Sequence, residues 1–414
     1  MTAPDRNRLL ERFLGYVRIG SQADFRAATY PSSPGQWEVG RRLVNELHAM
    51  GLSQAYQDAK GLVHAFIPGK VDSAAIALIA HVDTSPESSG DGVQPRVIAN
   101  YDGGEIYLPG SGKSLSPSRH EELKGYVGKT LVVTDGTTLL GADDKAGVAV
   151  IMEAANRLIE AADTRHGPLY LLFTCDEEIG HGVDHVDIPS LGVACAYTLD
   201  GGPAGELDIA TFSADRADIT IRGINIHPSI AKGKMINAVR LAGIFLERLP
   251  RKTLSPETTE GMDGFLHPYE VKGSVAQATI QLLMRDFQTP ALDEQERLLC
   301  RIAKEIEAEF PGAAVEVKRV NQYRNMAEGM AREPRAVALA EAAIRAVGIE
   351  PRLTSVRGGT DGSRLTERGL PTPNIFCGEH NAHSLEEWCC VEEMEQSVAT
   401  VLKLIELWSR EKPS

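Results

Sequence analysis

Five short stretches of the chain end in side chains able to hold a metal or move a proton. "HVD" carries His81 and Asp83, "GADDKAG" carries Asp143 and Asp144 just ahead of Lys145, and "CDEE" carries Asp176, Glu177 and Glu178. "LDGG" carries Asp200, and "GEHNAH" carries His380 and His383. Histidine and carboxylate ligands without a thiolate suit zinc, cobalt or manganese. A carboxylate shared by two ions about 3.5–4 Å apart lets them activate a water and polarise a carbonyl together. Residues two apart in an extended strand face the same way, so Asp83 can accept the second ring N–H of a metal-bound His81. Glu177 and Glu178, as neighbours, can point differently, which leaves one for metal and the other free as a base. The acids of "GADDKAG" also have a simpler use. Either can cap the helix "KAGVAVIMEAANRLIEA" and sit well with its dipole, and an acid there can bridge ions as well as cap.

The elements that must position these residues follow two styles. Up to about residue 210, apolar runs alternate with helical patterns: "AAIALIA", the helix after Asp144, "LYLLFTC" and "VACAYTL". This order predicts an α/β sheet with helices on its faces. Its apolar runs end in His81, in the acids at 176–178 and in Asp200, and the later run "TPNIF" leads to His383. Ligands of open α/β sheets gather at such carboxyl ends. From 211 to 321 the pattern becomes β-α-β-β-α-β, the ferredoxin-like order. The α/β style then returns, so the chain reads as a catalytic domain in two parts, 1–210 and 322–414, with a compact unit inserted at 211–321. The Ser-, Gly- and Pro-rich segment from about 84 to 130 shows little core pattern, and excursions of that length are often functional. There is no internal repeat or low-complexity tract.

Composition narrows the partners. The net charge of −14 argues against nucleic acid and against an anionic membrane surface, and a carboxylate-rich cation site fits it better. No apolar run approaches the roughly 20 residues that span a bilayer. The first helix lacks the apolar core and cleavage site of a signal peptide. Cys175, Cys195, Cys300, Cys377, Cys389 and Cys390 form no C-x-x-C pair, so a reduced, cytoplasmic protein is expected.

Taken in order, "HVDTSP", "TLLGADDKAG", "DEEIG", "DGG", "HPSIAKGKMINA", "MRDF", "RGGTDG" and "CGEHNAH" resemble the peptidase T family of bacterial tripeptide aminopeptidases. That family sits in the co-catalytic zinc peptidase superfamily with glutamate carboxypeptidase and a diaminopimelate desuccinylase. The likeness runs from "LLERFLGYV" to the last helix and includes "SPETTEG". The metal motifs identify only the superfamily, whereas "GGTDG" and the end-to-end match point to the tripeptidase branch. The resemblance implies a zinc-peptidase domain with a mixed sheet flanked by helices, and an inserted ferredoxin-like lid and dimerisation domain. It implies two Zn2+ ions, with Co2+ or Mn2+ as substitutes, bridged by Asp143. His81 and Asp200 complete one site, Glu178 and His383 the other. Glu177 would be the general base and Asp83 the partner of His81. His227 resembles a histidine that reaches the opposite subunit's site in a homodimer and helps bind the reacting carbonyl oxygen. Arg285, Arg357 and nearby Asn237 match residues that grip the substrate's carboxylate or main chain.

The chain departs from the family pattern at Ser229, where His-Pro-Gly is usual, at Glu386, where a second histidine is usual, and in "CDEE". None of these removes a ligand. Other histidines compete on paper: "HGVDH" spaces His181 and His185 like a helical zinc pair, and His380 lies close enough to His383 to replace it. Arg285 could pair with Asp286, and Cys175 reads as core packing. A dipeptidase, carboxypeptidase or N-acyl amino-acid deacylase of the superfamily would use the same ligands. A metal-binding protein without catalysis would need no free base, and Glu177 speaks against it.

Overall fold

The run "AAIALIA" becomes the strand Ile76–His81, buried along its whole length. Alternate residues serve two different cores. Leu78 and Ala80 pack with Val148 and Met152 of the helix Ala142–Glu160 and with Val398 of the helix Val391–Trp408. Ala77 and Ile79 pack with Leu172, Leu191 and Leu365 on the other face. A strand covered on both sides reads as continuous apolar sequence, which is why this run shows no alternation.

The computed structural model describes residues 3–161 and 163–413. It divides into a larger unit, Met1–Ile209 with Gly329–Thr354 and Thr360–Ser414, and a smaller one, Ala210–Glu328 with Ser355–Gly359. The larger unit is built on an eight-stranded mixed sheet. Its order is Tyr56–Gln57, Val63–Ile67, Leu169–Thr174, Ile76–His81, Cys195–Gly201, Asn374–Phe376, Glu206–Thr211 and Arg352–Val356. The strands from Leu169–Thr174 to Asn374–Phe376 run parallel, so their carboxyl ends share one edge. Val63–Ile67 and Glu206–Thr211 pair antiparallel on either side. The helix Ala142–Glu160 packs on this sheet and against the helices Ala3–Val17 and Val391–Trp408. Its Glu153, fully buried, accepts from Arg8 (2.8 and 2.8 Å), Arg12 (2.6 Å) and Arg157 (2.8 Å).

The segment after residue 84 holds more order than its composition suggests. Arg96–Ile98 and Leu131–Val133 join Trp388–Cys390 and Glu379–His380 in a four-stranded sheet. Tyr101, Ile106, Leu108, Leu123, Val133 and Trp388 form a core of their own beneath it. Strands of three residues are too short to show a period, which is how this core escapes a reading of the sequence.

The smaller unit follows the order Ser213–Arg222, helix Ala238–Glu247, Phe265–Gly273, Gln277–Asp286, helix Thr289–Glu309 and Ala314–Tyr323. Its sheet runs Phe265–Gly273, Gln277–Asp286, Ser213–Arg222, Ala314–Tyr323, all antiparallel, which is the ferredoxin-like arrangement. Buried Ala217, Ile219 and Ile221 alternate with half-buried Arg216, Asp218 and Thr220. The buried set packs on Leu241, Phe245, Leu299 and Ile302 of the two helices. Among the described residues no helix is long and apolar enough to cross a membrane.

Candidate metal centre

His81 closes its strand, and its ring makes two kinds of contact. Nδ1 donates to the Asp83 carbonyl at 3.2 Å and lies 3.4 Å from the Asp83 carboxylate. A carbonyl only accepts, so Nδ1 carries a proton, and Nε2 is the ring nitrogen that faces the cluster and would bind a metal. Nε2 points at Asp143 Oδ1, 2.9 Å away, and at Asp200 Oδ1, 3.6 Å away. The other oxygen of Asp143 is 3.0 Å from His383 Nε2, which is itself 3.0 Å from Glu178 Oε2. Asp143 thus stands between two histidines with one oxygen for each.

Asp83 braces the facing loop. Its carboxylate accepts the backbone N–H groups of Glu177 and Glu178, both at 3.1 Å, and so fixes the turn that follows Leu169–Thr174. Asp200 is held from the next strand, where the Asn374 side chain bonds both its N–H (3.0 Å) and its carbonyl (2.7 Å). Asp143 depends on Glu387, whose buried carboxylate accepts N–H groups from Leu140 (2.7 Å), Gly141 (2.8 Å), Ala142 (2.7 Å) and Asp143 (3.2 Å). Lys145 stays out of the cluster. It is buried, donates to the Ile19 carbonyl at 2.8 Å, and burial lowers its pKa to about 8.

The charges do not balance. Burial, then the charge of Asp143, pushes Glu178 up to about 8 and Asp200 up to about 7. Burial likewise raises Glu177 and Asp144 well above the usual carboxylate range. Burial opposes the charged form of His383 too, yet its hydrogen bonds to Asp143 and Glu178 carry it up to about 12. The same contest holds Asp143 below the ordinary range, against burial, through His383 and His81. Among the described residues no lysine or arginine pairs with these acids, and Glu178 Oε1 is buried with no hydrogen-bond partner. Cations are the natural complement of such a surplus. The donor set of imidazole and carboxylate oxygen fits divalent zinc, cobalt or manganese.

The cluster is larger than the residues named from sequence. Donor atoms of His81, Asp144 and Asp200 lie within 4.8 Å of one another, as do those of Asp143, Asp200 and Glu379, and those of Asp144, Cys377 and Glu379. Asp144 also accepts the His81 N–H at 3.0 Å. Asp361, in the "GGTDG" stretch, accepts from Thr174 Oγ1 at 2.7 Å, and burial pushes its carboxyl up to about 6. Glu379, Glu387 and Asn374 were missed because single acids and amides in strands of two or three residues, or in a loop, carry no periodic signal.

Other candidates lie apart. His380 is stacked on Trp388 at 3.7 Å and bonded to Glu393 at 2.7 Å, so it is packed away from the cluster. His181 is exposed and pairs with Asp184, while His185 sets its ring against Tyr30. Cys175 is buried and its thiol faces the Gly61 carbonyl. Glu386 pairs with His120 and Arg119.

Four candidates belong to the smaller unit. His227 is exposed, with Ser229 steadying its ring through the hydroxyl (2.7 Å) and the N–H (3.3 Å). Asn237 caps the helix Ala238–Glu247 by accepting from Val239 N–H. Arg285 makes no ion pair with Asp286; it donates to the carbonyls of Asp215 and Met284 and lies over the Tyr323 ring. Arg357 lies over Phe212 and Phe265 and donates to the carbonyls of Gly261 and Asp263.

The model of peptidase family M20/M25/M40 matches residues 132–407. A protein from Halothermothrix orenii named peptidase T is 42% identical over 405 residues, covering 97% of this chain and 99% of that one. The chain belongs to peptidase family M20/M25/M40. Within that family its sequence relatives include proteins named peptidase T. The crystal structure of aminopeptidase PepT from Bacillus cereus shares the fold, with a TM-score of 0.75, 23% identity, and coverage of 98% of this chain and 99% of that one. So does a Bacillus subtilis protein described as a dinuclear metal binding peptidase from the M20 family, with a TM-score of 0.65, 16% identity, and coverage of 98% and 99%.

Proposed function

We propose that this chain is a two-zinc aminopeptidase that releases the N-terminal residue of tripeptides. The observation that carries the proposal is the position of Asp143, one oxygen toward His81 and the other toward His383. In this reading His81, Asp200 and Asp143 hold one ion, and Glu178, His383 and Asp143 the other, with cobalt or manganese as substitutes. When bound, the ions supply Lewis acidity that lowers the pKa of a water and polarises the scissile carbonyl.

The chain's own residues do the rest. Glu177 sits on a backbone held by Asp83 and takes the proton of the attacking water. It then delivers that proton to the leaving amine. His227 donates to the oxygen that gains charge, and Arg285, Arg357 and Asn237 orient the peptide.

A distance inside the smaller unit supports a homodimer. Ala214 pairs with Arg285, and Arg222 pairs with Gln277. At about 3.3 Å per residue, those two ends of the strand are about 26 Å apart. His227 follows beyond Arg222, and an extended tripeptide spans only about 10–11 Å. His227 and Arg285 thus start from opposite ends of this strand pair, which together with the family resemblance favours His227 serving a second copy. Free cysteines throughout the described residues are consistent with the cytoplasm.

Mass spectrometry after zinc loading tests the reading, with one free tripeptide beside its dipeptide, tetrapeptide and N-acetylated relatives. Loss of the first residue from the free tripeptide alone is the expected result. Cleavage of the acetylated peptide instead would keep the metal centre and overturn the substrate.

A further inference from the structure

The first N–H groups of a helix have no partner within it, and an acid near the start of the helix commonly supplies one. The helix Ala142–Glu160 has two such acids and uses neither in this way. The backbone is non-helical at Asp143 and Asp144, so residues 140–144 form a turn leading into the helix, and Gly141, in the left-handed region at φ 75°, has no side chain to offer. Asp143 spends its oxygens on His81 and His383, and Asp144 turns to the His81 N–H. The N–H groups of residues 140–143 go instead to Glu387, 244 to 247 positions further along the chain. Each carboxylate oxygen takes two of them.

We propose that Glu387 is the positioning residue of the metal centre: by capping this turn from a distant loop, it releases Asp143 to serve both ions. The inference rests on the metal assignment above. Without Glu387 the buried N–H groups need other acceptors, and the carboxylates of Asp143 and Asp144 belong to the same turn. Capping and metal binding would then compete for the same oxygens. Groups that orient metal ligands in this way commonly matter 10–100-fold in affinity.

Metal-free parent, Glu387→Gln and Glu387→Ala would be titrated with Co2+, following the visible absorption of the bound ion, and thermal unfolding of the three metal-free proteins would be recorded alongside. Co2+ affinity is expected to fall about 10–100-fold in Glu387→Ala. A smaller fall is expected in Glu387→Gln, which keeps one accepting oxygen, and the spectrum should change with the altered bridge. Should Glu387→Ala not fold, the isosteric Glu387→Gln carries the test alone. A lower metal-free melting temperature with unchanged Co2+ affinity and spectrum would make Glu387 a structural cap and overturn the proposal. Peptide cleavage does not enter the readout. A parent that binds Co2+ but cuts no tripeptide refutes the activity and leaves this proposal standing, whereas a parent that binds no Co2+ removes both.

Discussion

One helix, Ala142–Glu160, carries two buried charge clusters of opposite make-up. Glu153 lies amid three arginines of its own chain, each within hydrogen-bonding distance, and Glu46, Asp5 and Glu160 pair with the arginines in turn. About 15 Å along the same helix, Asp143 lies among Asp200, Glu178, Asp144 and Glu379, with two histidines as the counter-charge among the described residues. Buried charge is tolerated when it is paired. The first cluster is closed by the chain and ties the helix Ala3–Val17 in place. The second is left without such partners among the described residues, which marks it as the candidate metal centre.

The comparison can be broken in several ways. The largest effect is expected from Glu177→Gln, which should lower kcat by about 100- to 10,000-fold while metal content, measured by elemental analysis, stays at the parent's level. Unchanged turnover would remove Glu177 from the proton transfer. Next comes the closed cluster. Glu153→Ala removes the buried acid that three arginines share and should cost about 3–5 kcal/mol in urea unfolding, yet leave the Co2+ titration where it was. A shift in metal affinity would show that the two clusters are not independent. Chelation makes the reverse test. Relative to protein in metal at about a thousandfold excess over Kd, the metal-free chain should lose about 4 kcal/mol, and Glu153→Ala should lose the same increment. The smallest effect belongs to His181→Ala. An exposed side chain outside the cluster should change stability by less than about 0.5 kcal/mol and leave metal stoichiometry untouched, and a lost ion would reopen the "HGVDH" motif.

Residues at strand ends were legible because the sheet announces itself. Continuous apolar runs stop at His81, at Asp176 and at Asp200, and a parallel sheet brings such stops to one edge. The order of the inserted unit was equally plain, since each of its strands and helices is long enough to show its period. The carboxylate of Glu387 was not, because its contact joins a side chain to backbone nearly 250 positions away and no local pattern records such a pair. The same holds for Asn374 beside Asp200. The aromatic core around Trp388 hid for a different reason, being assembled from strands of three residues. Residue roles such as that of His227 came from resemblance, as an exposed histidine before a proline carries no chemistry by itself.

The order in which the centre is made follows from the span between its parts. Asp143 and His383 are 240 positions apart. On a ribosome adding about 5–20 residues per second, His383 is made roughly 12–48 s after Asp143. The strands of the smaller unit, all drawn from residues 213–323, are finished inside that interval. A growing chain therefore holds His81, Asp143, Glu178 and Asp200 long before it has the second histidine or the Glu387 cap. Assembly of the full cluster is thus deferred until His383 and Glu387 have been made.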